Sequence, residues 1–192
     1  MTRYFTRPGS STPHRCRRQW APLSTSRACP PGCGVCHSSY GRVQRSRGLA
    51  SVMEEIDRLV DRFGVQEVVL FDEVPNHDPA RLRSLLEALA SRHPDLTLSF
   101  KNALRGDLLG GQDPALLRAA GVREISLVVE TASPRLQREM KLNVDLAATV
   151  AAAEALERSG ISTRGLFTLG LPTETATERE AVSYTHLRAH ET

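Results

Sequence analysis

The sequence predicts an α/β fold in which parallel strands are covered by helices. Several segments place apolar residues at the three- and four-residue spacing of an amphipathic helix, and short apolar runs follow them. The two patterns alternate along the chain with few connecting residues, which is typical of strand–helix–strand units. Because such crossovers are right-handed, the strands are expected to curl toward a barrel or an open sheet.

The first elements follow from hydrophobic spacing. The first strand is expected at residues 20–26. Apolar residues then recur at helical spacing over 49–63 and stop at Gly64, a residue suited to ending a helix. Residues 65–71 are a β-branched apolar run, which predicts the second strand.

Helix-start and helix-stop residues delimit the later elements. Asp78 and Pro79 open a second helix, whose apolar positions run over 82–89 and which closes before Pro94. The remaining predicted elements are a strand at 96–100, a helix at 115–120, a strand at 124–130, a helix at 134–140, a helix at 145–159 with Asp145 as N-cap, and a strand at 161–169.

Composition predicts one domain with a buried core. The chain has 192 residues, of which 40% are hydrophobic and 24% charged, and it has no long apolar run that would predict a membrane span. It has only four cysteines, and Cys16 has no obvious mate. A reducing, cytoplasmic location is expected rather than a secreted disulfide scaffold.

Three cysteines, Cys29, Cys33 and Cys36, lie on one short stretch with the spacing CxxxCxxC. Three thiolates on one loop can bind three irons of a four-iron cluster and leave the fourth iron open, whereas a cluster that only carries electrons usually takes four cysteines. Gly32 and Gly34 let the backbone wrap closely around such a cluster. The cysteines therefore predict an iron–sulfur cluster with an open iron.

Two other uses of these cysteines stay open. A zinc ion could take the three thiolates plus His37 or Cys16, although His37 adjoins Cys36 and the two side chains would have difficulty reaching one ion tetrahedrally. A thiol redox pair of Cys33 with Cys36 is the second alternative.

The cysteine loop and three later segments together resemble the radical S-adenosylmethionine enzymes. The later segments are residues 71–73, 128–133 and 165–175, and they are especially similar to the branch that carries an N-terminal cobalamin-binding domain. The resemblance implies a partial (β/α)6 barrel, a [4Fe-4S] cluster and S-adenosylmethionine bound at the open iron. It also implies that the reduced cluster cleaves S-adenosylmethionine to a 5′-deoxyadenosyl radical, which abstracts hydrogen from an unknown substrate.

The same resemblance implies roles for single residues around the cluster. Cys29, Cys33 and Cys36 would bind the iron as thiolates. Val35, the residue before the last cysteine, would lie near the adenine and supply an apolar contact.

Cofactor-binding roles at later strand ends are implied in the same way. Asp72 and Glu73 would hold the amino group of S-adenosylmethionine, and Glu130 would bind its ribose hydroxyls or its amino-acid part. Gly170 and Pro172 match the family's turn on the adenine side. An acid that ends an apolar strand of a parallel barrel is expected on the catalytic face, which supports Glu130 independently. A plain polar strand end remains the alternative for all three acids.

Three segments are expected along the chain. Residues 1–22 are interpreted as a basic linker or truncated N-terminal arm, residues 23–180 as an incomplete core of the radical enzyme, and residues 181–192 as a non-native tail. Because five strands are predicted where the family has six, the chain is expected to be a fragment that stops after about the fifth strand. A cobalamin domain ahead of it would favour methyl transfer.

Charge is unevenly distributed along the chain. Residues 1–47 contain nine arginines and no Asp or Glu, although the whole chain has a net charge of only +3. Such a basic end could contact nucleic acid or an acidic electron donor such as a flavodoxin or a ferredoxin-like protein, but a solvated basic arm is the simpler explanation. The alternative function is a non-catalytic, zinc-stabilised module that binds nucleic acid through its arginine-rich arm.

Overall fold

The computed structural model describes residues 19–36 and 39–180, and within them strands and helices alternate as predicted. The strands are β1 (Trp20–Leu23), β2 (Ser26–Arg27), β3 (Arg45–Ser46), β4 (Glu67–Leu70), β5 (Thr97–Phe100), β6 (Glu124–Glu130) and β7 (Ser162–Phe167). The helices are α1 (Leu49–Phe63), α2 (Pro79–Arg92), α3 (Pro114–Ala119), α4 (Pro134–Glu139) and α5 (Leu146–Arg158), with a 3-10 turn at Gly106–Leu108.

Five of these strands run parallel and follow one another in chain order. β1, β4 and β5 form one parallel sheet, and β6 pairs with β7 in a second. Parallel bridges between Leu98 and Val122 and between Leu104 and Leu127 join the two sheets. The predicted α/β class with parallel strands is confirmed, and the carboxyl ends of the five strands lie along one edge.

Local signals in the sequence begin and end the helices. The side chains of Asp78 and Asp145 accept hydrogen bonds from backbone N–H groups in the first turns of α2 and α5, each at 3.0 Å. Gly64 closes α1 in the left-handed conformation, with φ at 63°. The caps therefore lie where the sequence predicts them.

The core lies between the strands and one face of each covering helix. Val52 and Ile56 of α1, Leu86 of α2, Leu98 of β5 and Ile125 of β6 are each at most 1% exposed. The apolar residues of α1 recur at helical spacing because one face of the helix contacts the strands while the opposite face meets solvent. No helix in the described part of the chain is long and apolar enough to cross a lipid bilayer.

The first strand ends earlier than predicted. β1 stops at Leu23, and β2 leaves the sheet to form a short antiparallel pair with β3 that was not predicted. The reason is a contact distant in sequence: the backbone N–H of Thr25 donates to the carboxylate of Asp72 at 2.7 Å instead of to a neighbouring strand. The chain therefore turns away after Leu23 and leads into the cysteine loop.

Candidate functional site

One cavity of about 310 Å³ lies at the carboxyl ends of the parallel strands. Glu73 follows β4, Asn102 follows β5, Glu130 ends β6 and Leu166 lies near the end of β7, and all four line the cavity. Cys29, Cys33 and Cys36 line it as well. Because ligand sites of parallel α/β folds form at this edge, the cavity is the candidate site.

The cysteine loop, residues 29–36, is held from two sides. The backbone N–H of Gly34 donates to the carbonyl oxygen of Met140, just after α4, at 2.7 Å. A Cβ at Gly34 would lie 3.4 Å from the same oxygen, an ordinary van der Waals contact, so the loop lies directly against Met140. The guanidinium of Arg42 donates to the carbonyl oxygen of Pro31 at 2.6 Å. These contacts fix the loop against the mouth of the cavity.

The three cysteines are free thiols that influence one another. Burial, and then the charges of Cys33, Cys36 and Glu73, raise the pKa of Cys29 to about 11, although Arg42 opposes this shift. Burial and the neighbouring Cys33 also raise the pKa of Cys36. Thiols with raised pKa values are protonated at neutral pH, so binding of a metal centre must release protons from them.

Glu73 brings an unpaired carboxylate oxygen to the cavity. Its Oε2 is buried and has no hydrogen-bond partner within the described residues. A buried carboxylate oxygen without a partner is costly, and a bound cation or ammonium group would satisfy it. The role of Glu73 as a ligand for the amino group of S-adenosylmethionine stays a prediction.

Glu130 is held in an unusual backbone conformation at the end of β6. Its φ is 62°, a left-handed value that is rare for residues other than glycine. The buried amide of Gln137 donates to the carbonyl oxygens on both sides of Glu130, those of Val129 and Thr131, each at 2.9 Å. The hydroxyl of Thr168 donates to the Glu130 carboxylate. Strained residues held in this way are concentrated at functional sites.

Asp72 is turned away from the cavity. Its side chain is 1% exposed, and its carboxylate accepts hydrogen bonds from the N–H of Thr25 at 2.7 Å, the hydroxyl of Thr25 at 2.5 Å and the hydroxyl of Ser26 at 2.8 Å. Both carboxylate oxygens are thus occupied within the protein. Asp72 holds the segment that leads into the cysteine loop, while its neighbour Glu73 faces the cavity.

Val35, Gly170 and Pro172 do not line the cavity. Val35 is 38% exposed on the outer side of the cysteine loop, and Gly170 and Pro172 are exposed after β7. The backbone N–H of Gly170 donates to the carboxylate of Glu174 at 2.7 Å. The adenine-side roles of these three residues stay predictions, whereas Glu73, Glu130 and the three cysteines meet in one place.

Two polar residues of the cavity, Asn102 and Arg105, were not predicted. Both follow β5, and the amide of Asn102 donates to the carbonyl oxygen of Asp72 at 2.8 Å. Their position directly after a parallel strand could have indicated that they belong to the site, because Glu73 and Glu130 are at equivalent positions after other strands. Nothing in the local sequence around β5 distinguishes these residues from an ordinary polar loop.

The zinc alternative depends largely on residues outside the described part. Its fourth ligands, His37 and Cys16, both lie outside the described residues. Within residues 19–36 and 39–180, no three His, Cys, Asp or Glu side chains converge on a single-ion site. A cluster differs from a zinc site because each cysteine binds a different iron.

Residues 23–183 match the Radical SAM superfamily, which covers most of the chain. The chain belongs to this superfamily. The match includes the cysteine loop, the strand ends that form the cavity and the turn after β7.

Relatives in this superfamily include a methyltransferase and a cyclase. Cytidylyl-2-hydroxyethylphosphonate methyltransferase of Streptomyces wedmorensis is 25% identical over 178 residues, which cover 90% of this chain and 32% of that protein. Anaerobic magnesium-protoporphyrin IX monomethyl ester cyclase of Cereibacter sphaeroides is 30% identical over 155 residues, which cover 78% of this chain and 25% of that protein. The chain therefore spans about a third or less of the length of these relatives.

A solved structure shows the same fold. The radical S-adenosylmethionine methyltransferase TsrM from Kitasatospora setae, solved with cobalamin and a [4Fe-4S] cluster bound, superposes with a TM-score of 0.73 at 24% identity. The superposition covers 90% of this chain and 35% of TsrM. The present fold is thus the partial radical enzyme barrel that the resemblance implies.

Proposed function

We propose that this chain is the core of a radical S-adenosylmethionine enzyme that cleaves S-adenosylmethionine reductively to a 5′-deoxyadenosyl radical, which abstracts hydrogen from a substrate still to be identified. The observation that carries the proposal is the cavity in which Cys29, Cys33 and Cys36 meet Glu73 and Glu130 at the strand ends. Superfamily membership over residues 23–183 supports it.

The residues present fit a [4Fe-4S] cluster and S-adenosylmethionine. Three free thiols on one loop match a cluster with one open iron, and the unpaired Oε2 of Glu73 suits the ammonium group of the cofactor. When bound, the cluster supplies the electron that breaks the sulfonium bond. Glu130 ends β6, whereas Glu73 follows β4. Held by Thr168 and Gln137, Glu130 would orient the cofactor from this second strand.

The other walls of the cavity are apolar. Val128, Leu142, Val144 and Leu166 line it with apolar surface. Apolar walls deprive a reactive intermediate of competing proton and water partners. The same surface would accept an apolar part of the substrate.

The relatives point to methyl transfer as the type of reaction. A methyltransferase is among them, and TsrM was solved with cobalamin bound. We propose that this chain works with a cobalamin domain and transfers a methyl group.

We propose an acidic electron donor as the partner and a reducing, cytoplasmic location for the protein. Arg27, Arg42 and Arg45 are exposed beside the cysteine loop, and Arg42 contacts the loop directly. The guanidinium of Arg27 lies over the ring of Tyr40 at 5.7 Å. Clustered positive charge of this kind attracts and orients an acidic protein such as a flavodoxin.

Single cysteine substitutions test the ligand set. We expect Cys29→Ala, Cys33→Ala and Cys36→Ala each to abolish a four-iron signal after anaerobic reconstitution, because each removes one of three iron ligands. Cys16→Ala is the matched control and should retain full iron and sulfide content. Equal loss of iron in Cys16→Ala would refute this ligand set.

A further inference from the structure

Arg105 is the basic residue of the cavity that Cys29, Cys33 and Cys36 line. Among the described residues that line the cavity, it alone carries a permanent positive charge. Its side chain is 12% exposed, and Cys33 and Cys29 are close enough to interact with its guanidinium electrostatically. A buried charge of this kind acts over several ångströms because little water screens it.

Three other residues fix the position of Arg105. The fully buried amide of Asn76 binds its backbone twice: Nδ2 donates to the carbonyl oxygen of Arg105 at 2.7 Å, and the Arg105 N–H donates to Oδ1 at 3.1 Å. The guanidinium pairs with Asp107 through Nε at 2.8 Å and through Nη2, and Nη2 also donates to the carbonyl oxygen of Asn143 at 2.6 Å. The guanidinium therefore cannot move away from the cavity without breaking several contacts.

Asp107 is the counterion in this arrangement. Its side chain is 10% exposed, and its Oδ2 also accepts a hydrogen bond from the backbone N–H of Asp145 at 3.2 Å. Burial alone would raise the pKa of Asp107, but the hydrogen bonds from Arg105 and from Asp145 hold the pKa below its ordinary value. Asp107 is therefore ionised at neutral pH, and the cavity has a fixed pair of opposite charges beside it.

We propose that the ion pair of Arg105 and Asp107 sets the reduction potential of an iron–sulfur cluster bound by the three cysteines, an inference that rests on the proposed function. The potential of such clusters depends on the net charge around them. Reduction adds one electron, and hence one negative charge, to the cluster, and no bond forms or breaks. A fixed cation favours that charge and a fixed anion opposes it.

The test uses charge changes of opposite sign in the 192-residue chain. Arg105→Gln, Asp107→Asn and Arg105→Lys are reconstituted anaerobically with iron and sulfide, and each is titrated with dithionite while electron paramagnetic resonance follows reduction. We expect Arg105→Gln to shift the midpoint potential downward and Asp107→Asn to shift it upward. Arg105→Lys retains the charge and should stay near the unmodified protein.

Opposite shifts separate an electrostatic role from a structural one. If both residues only stabilise the fold, both variants should lose iron, and the clusters that form should show an unchanged potential, which would overturn the inference. Unchanged potential together with weaker S-adenosylmethionine binding in Arg105→Gln would also overturn it, because Arg105 would then bind the cofactor carboxylate.

The failure of the proposed function gives a different result from the failure of this inference. If circular dichroism shows that Arg105→Gln does not fold, the upward shift in Asp107→Asn decides the matter alone. If the unmodified chain assembles no four-iron cluster at all, the proposed function itself fails, and this inference fails with it.

Discussion

Replacing Asp72 by alanine should destabilise the protein and release the cysteine loop. The substitution leaves three buried donors, the N–H and hydroxyl of Thr25 and the hydroxyl of Ser26, without their acceptor. Each unsatisfied donor costs about 1–3 kcal/mol, and the three share one partner and so are not additive. We therefore expect a loss of about 3–5 kcal/mol, above the cost of one unsatisfied donor and below the sum of three.

The loss should extend to iron binding because the affected segment leads directly to the cluster ligands. Ala28, buried and with φ at 80°, stands between Ser26 and Cys29 and depends on its surroundings to hold that conformation. Asp72→Ala should therefore incorporate less iron than the unmodified chain. Asp72→Asn retains one acceptor oxygen and should lose only about 1–3 kcal/mol.

Urea unfolding, followed by circular dichroism, and iron analysis after reconstitution measure both effects. Asp61→Ala, at an exposed position of α1, is the control and should change stability by no more than about 0.5 kcal/mol. Equal midpoints for Asp72→Ala and Asp61→Ala would refute the reasoning. An Asp72→Asn variant that is stable and loaded with iron, yet no longer binds S-adenosylmethionine, would show that the carboxylate holds the cofactor instead.

Three further predictions concern the site and the fold that supports it. Gln137→Ala should weaken S-adenosylmethionine binding in calorimetry while iron content stays constant, because Glu130 loses the amide that fixes its flanking carbonyl groups; unchanged affinity would contradict this. Gly121→Ala should lower the free energy of unfolding, measured in urea, by at least about 3 kcal/mol. The reason is that φ at Gly121 is 84° and the new Cβ would lie 1.9 Å from the carbonyl oxygen of Leu96. Gly110→Ala, which has open space around it, should not lose this stability. The metal-free protein should lose stability as pH rises from 9.0 toward about 11, because the Cys29 thiol releases its proton at a lower pH in the unfolded chain than in the folded protein. A Cys29→Ala variant should show a smaller loss of stability. An equal loss would contradict the assignment of this effect to Cys29.

The elements that the sequence predicts well are those whose signals are local. The stripe of apolar residues in α1 with Gly64 after it, and the caps at Asp78 and Asp145, depend only on neighbouring residues. The end of β1 could not be predicted in this way. It depends on Asp72, which is 47 residues from Thr25 in the sequence.

The same distinction between local signals and distant contacts applies to the site. Cys29, Cys33 and Cys36 lie on one loop, so their spacing suits a shared iron–sulfur cluster, and the family resemblance selects that cluster over a zinc site or a redox pair. Glu73 and Glu130 were predicted from the family resemblance, and for Glu130 the position at the end of an apolar parallel strand supports the prediction independently. The orientation of Asp72 and the burial of Arg105 beside the thiols are set by packing between distant segments, and neither has a local signal.

Electron paramagnetic resonance is the most direct test of the proposed function. The chain would be reconstituted anaerobically, reduced with dithionite and measured with and without S-adenosylmethionine, alongside iron, sulfide and zinc analysis. A reduced four-iron signal that changes when S-adenosylmethionine is added is the predicted result, because the cofactor binds the open iron. Stoichiometric zinc without such a signal would contradict the account and would make the cysteine loop a structural zinc site.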